Sequence, residues 1–214
     1  MATTKRSGLP YFYVTWLSGL LVGESSCRFA SWIRGHYAID KRPSDFNFAA
    51  WKVDHTALIQ KTVADLKADG WTVTLEDQNK FTLKGNTALV AGKPDIIARK
   101  GRLVRILDAK TGHEADKNGA QVAIYMLVLP MVWGQPDLQP EGAVVYKETA
   151  VPVPWASVQP MREPLFKLIR DLAVDAKPEA VPSEKECRFC DVTATDCPQR
   201  FGEGAAVPIH TSEF

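Results

Sequence analysis

The feature that most constrains this chain is a change of hydrophobic rhythm at Gly70. Upstream, within residues 46–68, Ala49, Val53, Ala57, Leu58 and Val63 roughly follow helical spacing, and Gly70 supplies a stop. Downstream, residues 71–75, 81–83, 87–99 and 102–109 are short apolar or alternating runs. Asp77-Gln78-Asn79, Gly85-Asn86 and Lys100-Gly101 break them as turn signals. That pattern predicts a strongly bent antiparallel meander following a helix. A further helix is expected over 115–129, with Val122, Tyr125, Met126 and Leu129 on one stripe and Pro130 as its end. A Pro-containing loop (134–142), a strand (143–146), an extended piece (151–154) and a largely helical stretch (155–176) follow. Two short helices, 14–21 and 27–37, come after an irregular lead-in, and 177–186 reads as a linker. Helices, then strands, then helix, strand and helix make a mixed α/β fold, with a central bent sheet flanked by helices.

The length of 214 residues predicts one domain, 1–214, able to bury a core without disulfide staples. It divides into an N-terminal helical segment (1–45), a core (46–176) and a C-terminal cysteine segment (177–214). With 45% hydrophobic residues and a net charge of +1, disorder is excluded as the main state, and any basic surface must be local. No stretch is long and apolar enough for a membrane span. Residues 14–22 mimic a signal peptide, but Ser18 and Gly19 interrupt the run and no small-residue cleavage site follows. A cytoplasmic location is therefore expected, where thiols stay reduced.

The segment richest in chemistry is Pro94-Asp95 followed by Asp108-Ala109-Lys110. On a strand, Asp108 and Lys110 share a face. If their strand pairs with the preceding one, Asp95 comes opposite Asp108. Two facing carboxylates repel and call for a cation, and oxygen ligands suit Mg²⁺ or Mn²⁺. Such a cation draws in a phosphate oxygen and acidifies water, and Lys110 would stand beside that water. Taken alone, Pro-Asp is a common turn start and Asp-x-Lys an ordinary ion pair. The context weighs against that. Asp108 ends a strongly apolar strand pattern (Leu103, Val104, Ile106, Leu107), and Thr111-Gly112 turns the chain into a helix. That helix carries Gln121 and Tyr125 one turn apart, both able to bond a phosphate or base edge. His55, in the 46–68 helix, can offer an imidazole nitrogen to the same metal; His36 and His113 are competing candidates.

Together, Pro94-Asp95, Asp108-Ala109-Lys110 and Gln121-x-x-x-Tyr125 resemble the PD-(D/E)XK nuclease superfamily. The Gln-x-x-x-Tyr helix and His55 resemble its RecB-like branch. The resemblance implies that His55, Asp95 and Asp108 bind metal, with the Ala109 carbonyl as an added ligand. It implies that Lys110 is the catalytic partner and that Gln121 and Tyr125 contact nucleic acid. Asp108 stands where a longer Glu is common in that branch.

All four cysteines remain: Cys27, and Cys187-x2-Cys190-x6-Cys197. Four unrelated thiols are one reading, but the tight late spacing argues for a shared centre. A Zn²⁺ site and a [4Fe-4S] cluster both take four such ligands, and composition does not separate them. One early cysteine plus a late C-x2-C-x6-C around a RecB-like core resembles the iron–sulfur nucleases. These include the AddB nuclease domain and the CRISPR-associated exonucleases of the adaptation machinery, and the small size favours the latter. The resemblance implies a structural cluster tying the N- and C-terminal regions. It further implies a metal-dependent DNA exonuclease acting on single strands or DNA ends, possible work on CRISPR prespacers, and CRISPR adaptation or DNA-repair partners. The alternative is a DNA-binding or assembly subunit with little activity alone.

Lys93, Arg99, Lys100, Arg102 and Arg105 surround the active-site strands, either as a phosphate-tracking patch or as ordinary solubilising charges. Tyr11-Phe12-Tyr13 and Trp32 are expected to be core or interface aromatics rather than to stack on bases. No Gly-rich phosphate loop and no serine nucleophile elbow is present, so neither an ATP-driven motor nor a serine hydrolase is expected.

Overall fold

The computed structural model describes residues 3–43 and 46–202, so the outermost parts of the 1–45 and 177–214 segments lie outside the described residues. Helix gives way to strand at Gly70, whose φ of 80° lies in the left-handed region that glycine tolerates. In chain order the elements are β1 (Thr4–Lys5), β2 (Tyr11–Tyr13), α1 (Val14–Leu21), α2 (Arg28–His36), β3 (Tyr37–Ala38) and α3 (Phe48–Ala68). Then come β4 (Thr72–Leu75), β5 (Phe81–Lys84), β6 (Leu89–Gly92), β7 (Ile96–Lys100), β8 (Leu103–Ala109) and α4 (Asp116–Val132). The described chain finishes with β9 (Glu141–Val145), β10 (Ala150–Val153), α5 (Trp155–Val158), α6 (Arg162–Ala173) and α7 (Glu184–Phe189).

The strands do not form one meander. A five-stranded mixed sheet has the order β10-β9-β8-β7-β4, with β8 and β9 parallel and its other pairs antiparallel. A second sheet has the order β2-β6-β5, and β1 pairs with β3. The apolar run 87–99 therefore splits, giving β6 to the small sheet and β7 to the large one. Pro94, which has no N–H for a ladder, lies at the break. Helix α4 is the crossover between the parallel strands β8 and β9.

Helix α4 also runs past Pro130 to Val132 instead of stopping there. It is buried at every position from Ala120 to Pro130, against the large sheet, β5 and α1. Packing on all sides outweighs the ~3 kcal/mol that an interior proline costs. The large sheet has apolar cores on both faces. Val104 and Ile106 of β8 join the core that contains α4, while Leu107 and Ala109 join Leu58, Ile59, Val63 and Leu66 of α3. The period of two along β8 thus sets Asp108 on the α4 side. The stretch 155–176 breaks into α5, a single 3₁₀ turn and α6, and the 177–186 linker passes into α7. Among the described residues, no helix is long and apolar enough to cross a membrane.

Candidate active site

The site lies where β8 ends. In the β7–β8 ladder Ile96 pairs with Leu107, and one further step sets Asp95 opposite Asp108. Asp95 continues the ladder with its side chain: Ala109 N–H donates to Asp95 Oδ2 at 2.8 Å. Asp108 is 1% exposed. Its Oδ1 accepts from Gln121 Nε2 at 2.9 Å. Its Oδ2 receives no hydrogen bond of acceptable geometry and faces Lys110 Nζ at 2.5 Å. Gln121 joins the group together. Its Oε1 accepts from Lys110 Nζ at 3.1 Å, and its Nε2 also donates to the Tyr125 hydroxyl at 3.2 Å. Tyr125 is buried at a position that requires Gly92, because a Cβ there would lie 2.6 Å from the Tyr125 ring.

His55 reaches the group from α3, with Nε2 3.3 Å from Asp95 Oδ2. Of the competing histidines, His36 is buried elsewhere, 2.9 Å from the Leu172 carbonyl and stacked on Trp32. His113 is exposed in the loop before α4. The structure therefore brings together His55, Asp95, Asp108, Ala109, Lys110, Gln121 and Tyr125, which line one cleft of about 400 Å³.

The electrostatics follow from burial and charge. Burial pushes the Asp108 carboxyl up to about 6; Lys110 pulls it down, and the Asp95 charge pushes it further up. Hydrogen bonding to Asp95 raises His55 against the opposing effect of burial. Burial raises the Tyr125 hydroxyl well above its ordinary value. Among the described residues, no group of three or more His, Cys, Asp or Glu is already arranged to hold a metal ion. The donor chemistry nevertheless fits a hard divalent cation. Two carboxylates and one imidazole converge, and the unbonded Asp108 oxygen is met only by an ammonium.

Two neighbours escaped the sequence reading. Trp51 stacks on His55 with ring centroids 4.6 Å apart. The spacing Phe48-x2-Trp51-x3-His55, one helix face, was the signal for it. Glu76 lines the cleft with a φ of 33°, and its N–H donates to the Asp95 carbonyl at 3.0 Å. Four of the five basic residues around the strands are engaged locally. Lys93 pairs with Asp77, Lys100 bonds the Asp69 carbonyl, Arg99 covers Trp133, and Arg105 pairs with Glu141 over Trp71. Phe12 and Trp32 are core residues, whereas Tyr11 is half-buried and Tyr13 departs from that expectation, being exposed and lining the cleft, because alternate side chains of the short strand β2 face opposite sides.

The four thiols are free and line a second cavity, about 450 Å³, that also touches Lys110 and Gln121. Burial pushes the Cys197 thiol up, and the nearby Cys27, Cys187 and Cys190 add to that. Arg34 donates to Cys190 Sγ at 3.5 Å and Phe201 N–H to Cys187 Sγ at 3.4 Å. The four thiols are not already arranged as a metal site either, but soft sulfur donors on one cavity, with N–H groups reaching two of them, are the ligand type that a thiolate-bound centre takes.

Residues 30–198 match the model of the PD-(D/E)XK nuclease superfamily, and the chain belongs to that superfamily. Membership supports a nuclease acting on DNA, and such nucleases commonly use Mg²⁺ or Mn²⁺. No curated protein matches the chain. Solved structures do, among them the crystal structure of SSO0001, which is 14% identical. That match covers 86% of this chain and 85% of the other, with a TM-score of 0.43.

Proposed function

We propose that this chain is a metal-dependent DNA exonuclease of the RecB-like, iron–sulfur type, trimming single-stranded DNA or DNA ends. Prespacer trimming in CRISPR adaptation is the setting we favour. The observation that carries the reading is Asp95 set opposite Asp108, with Lys110 against the buried, unbonded Asp108 oxygen. When bound by His55, Asp95, Asp108 and the Ala109 carbonyl, a divalent cation supplies the charge that draws in a phosphate oxygen and acidifies water. Lys110 holds its ammonium beside the attacking water and the negative charge growing at phosphorus. Gln121 fixes Lys110 and Asp108 relative to one another. Tyr125 is only 1% exposed, so in place of the nucleic-acid contact expected of it we assign it to holding Gln121, whose amide donates to its hydroxyl. The water oxygen bonds to phosphorus as the bond to the leaving sugar oxygen breaks; the water gives up its proton to solvent, and the leaving oxygen takes one from solvent. We assign Cys27, Cys187, Cys190 and Cys197 to a structural [4Fe-4S] cluster on the shared cavity, with Zn²⁺ as the alternative.

One preparation tests both assignments. Protein purified without oxygen is measured for visible absorption, iron, sulfide and zinc. It is then given end-labelled single-stranded DNA with and without Mn²⁺. A brown protein that shortens the strand from an end only with Mn²⁺ is expected. A colourless, zinc-bearing protein that cuts replaces the cluster but keeps the reaction. A protein that binds DNA and never cuts overturns the nuclease in favour of an assembly subunit.

A further inference from the structure

The cleft has an aromatic wall that hydrolysis itself does not use. Trp51 lies one turn before His55 on α3, and their rings stack 4.6 Å apart with planes 23° from parallel. Phe48, almost a further turn back, packs against Trp51 at 5.3 Å, and Phe46 approaches the same indole at 6.2 Å. Both phenylalanines are 60% exposed. Trp51 itself lines the cleft, so the row of rings begins inside the carboxylate site and runs outward from it. Val53, the other exposed large apolar side chain of this helix, is two positions from Trp51 and so lies on another side of the helix. The patch is therefore aromatic and continuous with the site, not a broad aliphatic face.

We propose that Phe46, Phe48 and Trp51 form a stacking ledge for unpaired nucleobases of the strand being cut. This rests on the nuclease reading above for the position of the phosphate. Successive exposed rings beside a phosphate-handling cleft suit bases, since every base offers a π-face and stacking tolerates any sequence. In a duplex those faces are already stacked on one another. The ledge therefore engages single strands or frayed ends and gives the site its preference for them.

The test compares two labelled oligonucleotides of equal length in Lys110→Ala protein, where the strand survives. One is oligothymidylate, and the other carries abasic residues with the same phosphates. Fluorescence anisotropy should show oligothymidylate binding roughly tenfold more tightly, in line with measured base–aromatic stacking. Adding Phe46→Ala and Phe48→Ala, both at exposed positions, should erase that difference while leaving abasic binding unchanged. Trp51→Phe should keep most of it and Trp51→Ala should not. Equal weakening toward both oligonucleotides, or no change toward either, overturns the ledge. Failure of the nuclease reading is separate: the unmodified chain would leave DNA uncut with Mn²⁺ while base-dependent binding persisted.

Discussion

The carboxylate site and the cysteine site are held by different means. Asp95, Asp108, Lys110, Gln121 and Tyr125 fall within one β7-β8-α4 stretch, and backbone ladder and helix packing set their positions. The cysteine site joins chain segments far apart in sequence, largely through side chains. Glu186 accepts from the N–H groups of Ser26 and Cys27, at 2.9 and 3.3 Å. Arg34 pairs with Asp191 at 2.6 Å, and the buried Arg200 donates to the carbonyls of Cys187, Cys190 and Val192. Among the described residues, backbone adds an isolated antiparallel bridge between Lys41 and Val192 and the Arg42 N–H donating to the Asp191 carbonyl at 2.8 Å. Each such bond contributes about 1 kcal/mol net. The difference teaches that the first site is ordered by the fold, whereas the second helps to order the fold.

That contrast can be broken experimentally. Asp95→Ala or Lys110→Ala should cut DNA cleavage on the order of 100–1,000-fold or more, the cost of losing charge stabilisation in a transition state. Iron content should stay put, and an end-labelled DNA assay alongside metal analysis checks both. Cys190→Ala should do the reverse. Colour and iron are lost, and the midpoint falls by roughly 6–12 °C, the shift that about 3 kcal/mol produces in a chain of this size. A variant that stayed brown and stable would remove the cysteine centre from the account.

Asp108 sharpens the comparison, because its burial trades stability for chemistry. Its carboxyl is raised to about 6 in the folded protein, so its contribution to stability is full below pH ~4 and lost as pH rises through about 6. Metal-free protein should therefore weaken between pH 4.5 and 7, by about 1–3 kcal/mol in urea unfolding. Asp108→Asn should flatten that dependence and still abolish cleavage; an Asn variant less stable than wild type at pH 7 contradicts it. The same proton competes with the cation, so Mn²⁺ affinity by calorimetry should fall up to about tenfold per unit below pH 6. The smallest effect belongs to Glu186→Ala, about 1 kcal/mol from two exposed or half-exposed bonds, read as faster hydrogen exchange at Ser26 and Cys27 with cleavage unchanged.

Much of this was legible in the sequence. Helices α1, α2 and α3 follow their apolar spacing, and the facing of Asp95 and Asp108 follows from the strand period and the Lys100-Gly101 turn. The split at Pro94 was not legible, because β6 and β7 are both apolar and a run buried on two faces shows no alternation. Pro130 misled for a related reason: a helix buried on all sides takes its stability from packing, which local propensity does not register. Within the site, the motif residues carry the recognition, but the burial of Tyr125 depends on Gly92, which precedes Pro94-Asp95 with no mark in its own neighbourhood.

The distance along the chain between Cys27 and its three companions also sets a clock. Synthesis proceeds from the N-terminus at about 5–20 residues per second, so Cys187, 160 positions after Cys27, follows it by roughly 8–32 s. Throughout that interval the thiol at the start of α2 is a lone nucleophile, while the ladder that carries Asp95 and Asp108 can already close. Oxidants present during translation thus meet Cys27 before its cavity exists, and the growth conditions of the producing cell set the fraction of chains that keep all four thiols.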